Sequence, residues 1–228
     1  MKKNLNSFER LIRVLLGLFF LFAAWQFYKS ASAQILSVLF AIFSLGEAVT
    51  GKCGLMKQMG VHEPNDKYSV AGLGLMGLGA IQAVIAYEWW SAGWEKISSP
   101  KFVDGIQGTL GFFAGQNPFP WYKSFLLGFA SQNAKAFAYT VEWSQIAIGI
   151  VLIVSTLVFL YVSSAAIRRL ALIASLIALL GGLLMNANFY LAAGWTGPGA
   201  RAVNVLMFWV QILLIYVWVK LLAQKEQR

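Results

Sequence analysis

The 228-residue chain is 59% hydrophobic and only 12% charged, with a mean hydropathy of +0.66. Soluble globular domains are nearer half apolar and a quarter charged, so the composition excludes that class and indicates a polytopic membrane protein. The net charge of +9 suits the basic flanks of membrane segments, which also attract anionic lipid; there is no basic recognition helix and no phosphate loop beside a strand, so nothing points to nucleic acid as a partner.

A membrane-crossing helix needs roughly 20 mostly apolar residues. Six segments qualify, at about 8–28, 33–51, 68–92, 136–162, 167–193 and 203–223. The first has basic flanks in Lys2, Lys3, Arg10 and Arg13. Its apolar run reaches about Phe27, too long for a signal-peptide core, and Ala31-Ser32-Ala33 is a loose match to a cleavage site, so a retained helix is expected. The second segment ends at Thr50-Gly51-Lys52-Cys53-Gly54. Lys52 and Lys57 can lower the Cys53 pKa, and the residues leave open a sulfur-carrying thiol or an inert one. Glu47, one turn inside, is expected to meet a lysine or the hairpin partner. The polar stretch His62-Glu63-Pro64-Asn65-Asp66-Lys67 then closes a hairpin over residues 1–66, and residues 67–228 are expected to form a four-helix bundle.

The third segment contains Gly72-Leu73-Gly74-Leu75-Met76-Gly77, a GxGxxG pattern. A dinucleotide fingerprint needs a preceding strand and a βαβ unit. Inside an apolar helix the pattern instead serves close packing, with Gly72, Met76, Gly79, Ala80 and Ala83 near one face. The segment leaves the membrane through Glu88-Trp89-Trp90-Ser91-Ala92-Gly93-Trp94-Glu95-Lys96. The connection over about 93–135 is too apolar to hang free. Val103, Ile106, Gln107 and Leu110 have helical spacing, as do Phe125, Leu126 and Phe129 after the break at Asn117-Pro118-Phe119-Pro120. Two short helices, interfacial or capping the bundle, are predicted there.

Six crossings put both termini on one side. Most of the 18 lysines and arginines lie at the termini and on the connections of that side, so the positive-inside rule makes it the cytoplasm. The fold class is therefore an all-α polytopic protein of a bacterial or archaeal cytoplasmic (inner) membrane, embedded in the lipid bilayer.

Polar residues inside such segments mark candidate sites. Glu142 lies well inside the fourth segment, and a carboxylate there faces the bundle interior or water. Gln145 follows at i+3 and shares its face. The pair reads either as a proton acceptor with its hydrogen-bonding neighbour or as a clamp between helices. Asn186 and Asn188 lie near the end of the fifth segment, about 200° apart around a helix, so only one of them faces a given pocket. Glu88, Lys96, Trp90 and Trp94 are expected at a similar depth. An aromatic belt accounts for the tryptophans; convergence with Glu142 makes them candidates for a site. With one cysteine and one histidine, the chain cannot form an intrachain disulfide and falls short of the ligand set of a protein-built metal centre. Redox chemistry would need a diffusible cofactor such as a quinone, or a second protein subunit.

Two resemblances sharpen these expectations. Ser7-Phe8-Glu9-Arg10-Leu11-Ile12-Arg13 with Gly17, followed by Thr50-Gly51-Lys52-Cys53-Gly54-Leu55, resembles the YgaP-type membrane hairpin; Gly54 stands where that family has proline. The family often accompanies rhodanese sulfurtransferase domains. From about residue 68 onward, Gly93-Trp94-Glu95-Lys96, Gly105-Ile106-Gln107-Gly108, Pro118-Phe119-Pro120-Trp121-Tyr122, Val141-Glu142 and Asn186-Ala187-Asn188-Phe189 are similar to the DoxX/DoxD superfamily. That resemblance implies a membrane subunit of thiosulfate:quinone oxidoreductase, which couples thiosulfate oxidation to tetrathionate with quinone reduction. Glu142, Glu88 and Lys96 would then be the catalytic candidates, and Trp90, Trp94, Gln145, Asn186 and Asn188 would bind the quinone. The alternatives are a non-catalytic scaffold that recruits a redox or sulfurtransferase partner and a small transporter of an inorganic sulfur anion.

Overall fold

The computed structural model describes residues 3–26, 31–58, 61–64, 66, 70–99, 101–162 and 164–224; of the residues named above, Lys2, Phe27, Asn65 and Lys67 lie outside them. Regular structure among the described residues is entirely helical. Helix α1 (Ser7–Gln26) opens on a reciprocal cap: the Glu9 N–H donates to Asn6 Oδ1 at 2.9 Å, and the Asn6 N–H donates to Glu9 Oε2 at 2.8 Å. Helix α2 (Ala31–Thr50) ends at Gly51, whose φ of +67° is the left-handed conformation that favours glycine after a helix. A short α3 (Gly54–Gln58) precedes α4 (Val70–Ile97). Then come α5 (Lys101–Gln116), α6 (Pro120–Phe125) with proline in its first turn, and a π-helical turn, Leu126–Ala130. Three long helices finish the chain: α7 (Ala134–Tyr161), α8 (Ala165–Ala193) and α9 (Pro198–Gln224).

Among the described residues, five helices are long and apolar enough to cross a membrane: Ala33–Thr50 within α2, α4, α7, α8 and Pro198–Ala223 within α9. Sequence alone predicts six. Helix α1 has the length, but Glu9, Arg10 and Arg13 occupy its first two turns. Helix α4 runs to Ile97 rather than ending near residue 92, so Trp94 and Lys96 sit on the helix and not in a loop. Nothing in Ala92-Gly93-Trp94-Glu95-Lys96 stops it. The first strong stop signal in the sequence is the proline at position 100, a residue type that disfavours helix at the position before it.

The chain folds as two compact units, Met1–Ala80 and Ile81–Arg228. In the first, α1 and α2 pack as a hairpin. They approach closely at Gly17, where a Cβ would fall 2.6 Å from Leu45 Cγ. Beyond the hairpin's end, Leu5, Cys53, Met56 and Val61 form a small core with Met76 against it. In the second unit the long aromatic connection is packed rather than free. Ile106, Leu110 and Ala114 of α5 join Tyr122, Leu126 and Ala130 in a core that includes Ala138 of α7 and Ala192 of α8.

Candidate functional site

The interior of the second unit is polar at two levels. At the first, Trp218 Nε1 donates to Gln82 Oε1 at 2.7 Å. The Gln82 amide nitrogen lies 2.9 Å from Thr156 Oγ1 and 3.1 Å from Ser175 Oγ. Thr156 in turn donates to the Leu152 carbonyl at 2.8 Å. Four helices thus meet in one closed set of hydrogen bonds, which is what polar side chains in an apolar interior require.

About two turns away, seven residues along each helix, the same pair recurs with the helices exchanged. Trp89 is on α4 and Gln211 on α9, while Gly149 and Gly182 take the places of Thr156 and Ser175. Here the bonds are not made. Trp89 Nε1 and both polar atoms of the Gln211 amide are buried without a hydrogen-bond partner. They lie side by side on Gly182: a Cβ there would fall 2.7 Å from Gln211 Oε1 and 3.0 Å from Trp89 Nε1. The two hydroxyls that complete the first level have no counterpart at the second.

One turn further, Gln145 Oε1 and Asn186 Nδ2 are also buried without partners, and Glu142 adds a carboxyl group one turn beyond Gln145. Helices α7 and α8 are antiparallel, with Ile148 3.8 Å from the Cβ position of Gly181. Moving about one turn along each from that contact brings Gln145 and Asn186 to a similar level. All five side chains are deeply buried: Glu142 is 5% exposed, Gln145 3%, Asn186 2%, Trp89 2% and Gln211 0%. An unpaired buried amide costs about 1–3 kcal/mol, so a cluster of them has the character of a binding site for oxygen and nitrogen atoms that the chain does not itself supply.

Of the residues singled out in the sequence, Glu142, Gln145 and Asn186 belong to this interior. Glu88 is exposed. Lys96 is partly buried; its Nζ donates to the Ala92 carbonyl at 3.1 Å and lies 5.7 Å from the centre of the Phe102 ring. Trp90 and Trp94 stack on one another at 5.9 Å, and the Trp90 backbone presses on Gly149, where a Cβ would fall 2.7 Å from its nitrogen. Asn188 is exposed, and its Oδ1 accepts a hydrogen bond from the Tyr122 hydroxyl at 3.0 Å. The sequence marks Trp89 only as part of an aromatic belt, and the candidates drawn from it omit Gln82, Gln211 and Trp218. A signal exists for the two glutamines, since an amide in the middle of an apolar helix calls for a partner.

A second polar centre ties the hairpin's ends together. Arg10 Nε donates to the Ala48 carbonyl at 2.7 Å, satisfying the end of α2. Arg13 pairs with Glu47 at 2.9 Å and reaches Cys53 Sγ at 3.2 Å. The Asn4 amide bridges the Cys53 N–H and carbonyl, each at 2.9 Å. The cation beside the thiol is therefore Arg13, not Lys52 or Lys57, and Glu47 meets not a lysine but the hairpin partner, through Arg13 of α1. Burial dominates and pushes the Cys53 thiol up from its ordinary value, opposite to the lowering that nearby lysines would give.

Long apolar helices enclosing a partly unsatisfied polar interior define a polytopic helical membrane protein in contact with the bilayer. Residues 1–67 match the family model described as inner membrane protein YgaP-like, transmembrane domain. That match and the apolar helices together make this a multi-pass protein of the inner membrane. No curated protein and no solved structure matches the chain.

Proposed function

We propose that the chain is a DoxD-like membrane subunit of a quinone-linked oxidoreductase, with thiosulfate or a related sulfur compound as the electron donor and a second protein subunit as its partner. In this reading α1 also crosses the membrane, with Arg10 and Arg13 at its cytoplasmic end; both termini are cytoplasmic, and α5 and α6 lie at the outer interface. The observation that supports it best is the set of buried, unpartnered amides beside Glu142. Those groups suit the oxygens of a quinone head group, which the residue types around them can hold in either redox form. When bound, a quinone takes up two electrons and two protons as two thiosulfate ions are joined into tetrathionate.

The chain's own residues do the rest. Asn186 donates through Nδ2 to a ligand oxygen. Gln145 accepts from a ligand hydroxyl. Glu142 hands a proton to the head group and is reprotonated from the membrane face. Trp90 and Trp94, stacked and partly buried, wall the approach, and Lys96 draws the sulfur anion toward the surface. Glu88 and Asn188, both exposed, stand in supporting positions rather than against the ligand.

Quinone reduction by the purified protein in lipid, with thiosulfate as donor, tests the reading. Thiosulfate-dependent reduction that is lost in Glu142→Gln supports it. Unchanged turnover in that variant removes Glu142 from the mechanism. Absence of reduction by folded protein, alone and with its partner, favours the recruiting scaffold.

A further inference from the structure

The two Trp–Gln pairs of the second unit differ in one respect. The same two side-chain types, on the same two helices, are fully bonded around Gln82 and fully unbonded around Gln211. Gly149 and Gly182, in place of threonine and serine, separate the two levels. Gly149 is explained by the Trp90 backbone against it. At Gly182 the three atoms nearest the missing Cβ are side-chain atoms instead, the unpartnered Gln211 Oε1 and Trp89 Nε1 with the adjoining ring carbon of Trp89. Asn186, with its own unpartnered Nδ2, follows Gly182 by one turn of α8, roughly 6 Å along the axis.

We propose that Trp89 and Gln211, over Gly182, form a second oxygen-binding subsite, so that a ring ligand lying alongside α8 meets this pair with one oxygen and Asn186 with Gln145 with the other. The inference rests on the quinone reading above and extends it from one end of the head group to both. The spacing of roughly one helical turn is comparable to the separation of the two oxygens of a six-membered ring, so the donors meet those oxygens from the side of the ring rather than from beyond its ends. The chemistry is also matched. Trp89 Nε1 can only donate, so it requires an acceptor oxygen. The Gln211 amide both donates and accepts, so it tolerates a carbonyl or a hydroxyl at the same place. Glu142 lies at the other end, which divides the labour: one oxygen is beside a carboxyl group and the other is held by neutral groups alone.

The test is binding, measured on the full chain in lipid nanodiscs with a short-chain benzoquinone, ubiquinone-1, together with the melting temperature of the ligand-free protein. Gln211→Met keeps the volume and removes both polar atoms. Gly182→Ser supplies a hydroxyl where Ser175 supplies one at the other level; its Cβ displaces the end of the Gln211 side chain and must be accommodated by the Trp89 ring at 3.0 Å. Each variant is expected to bind about tenfold more weakly, the loss of one hydrogen bond to ligand. Gln211→Met is not expected to lower the ligand-free melting temperature, because no existing bond is lost; Gly182→Ser, whose Cβ crowds the Trp89 ring, is judged by binding alone. Wild-type binding with undiminished affinity in both variants overturns the subsite and leaves the quinone reading standing. A lower ligand-free melting temperature in Gln211→Met shows a structural role and also overturns it. Failure of the wild-type protein to bind any quinone overturns the proposed function and this inference with it.

Discussion

Gln82→Leu isolates the energetic contribution of the closed level. The substitution keeps the approximate size and removes an amide that serves four neighbours, Trp218, Thr156, Ser175 and, at 3.4 Å, the Leu152 carbonyl. Trp218 Nε1 loses its acceptor at 2.7 Å and, in a side chain that is buried, is shielded from water; that orphaned N–H costs about 1–3 kcal/mol. Thr156 suffers less, since its hydroxyl still donates to the Leu152 carbonyl. Ser175 loses its contact with Gln82 at 3.1 Å, and interhelical bonds of this kind average about 0.6 kcal/mol in membranes. The expected destabilisation is about 2–4 kcal/mol. Unfolding by SDS titration from mixed micelles, followed by tryptophan fluorescence, gives the difference directly. Adding Trp218→Phe to Gln82→Leu removes the orphaned N–H, and a double-mutant cycle should then show the second change costing less than it does alone. If Gln82→Leu unfolds within about 0.5 kcal/mol of the wild-type protein, the hydrogen bonds are not holding the helices and the reasoning fails.

Other perturbations follow from the same geometry. Gly149→Ala puts a Cβ 2.7 Å from the Trp90 nitrogen and 2.8 Å from its Cα; backbone cannot swing aside, so a loss of about 1–3 kcal/mol is expected in the same titration. Arg13→Met breaks the ion pair with the buried Glu47 and should destabilise by about 3 kcal/mol; Arg13→Lys should recover only part of this, because one ammonium cannot reproduce the fork that reaches both Glu47 and Cys53. Cys53 is buried and its thiol is hard to ionise. Iodoacetamide should therefore label it slowly in the folded protein up to about pH 9 and rapidly once SDS unfolds the chain; equal rates would contradict its burial. The linkage has a definite sign. The unfolded thiol loses its proton first as pH rises, so the contribution of Cys53 to stability is intact below its ordinary value of about 8.5 and is lost as pH climbs through the raised folded value.

The membrane class, most of the long helices and part of the buried polar interior are legible in the sequence, because each depends on spacing along one segment. Glu142 and Gln145 share a face by helical geometry alone, and burial of both agrees with that. Asn186 is buried and Asn188 exposed, as two residues about 200° apart on one helix should be. Relations between segments are not legible in the same way. Gln211 gains its significance only once α9 lies at the level of Trp89, and Arg13 only once α1 lies beside Glu47. Sequence misplaces the end of α4 because tryptophans and charges commonly mark a loop, whereas a helix leaving the bilayer carries the same residues on its last turns. The shortfall of α1 has a related cause: Arg10 and Arg13 lower its apolarity while serving to bind the hairpin's ends.

The repeated Trp–Gln pair also bears on how the last helix finds its place. On both α4 and α9 the order along the chain is glutamine and then, seven residues later, tryptophan. Because the two helices run in opposite directions, one alignment alone sets glutamine against tryptophan twice. Sliding α9 by seven residues one way would oppose Gln82 and Gln211; the other way would oppose Trp89 and Trp218. Apolar helix surfaces in lipid tolerate such slips, since one leucine face resembles another. Polar groups do not, and a single buried amide is known to fix alignment in paired helices. The repeated pair therefore favours one register of α9, the one in which Trp218 closes on Gln82 and Gln211 lies at the level of Trp89.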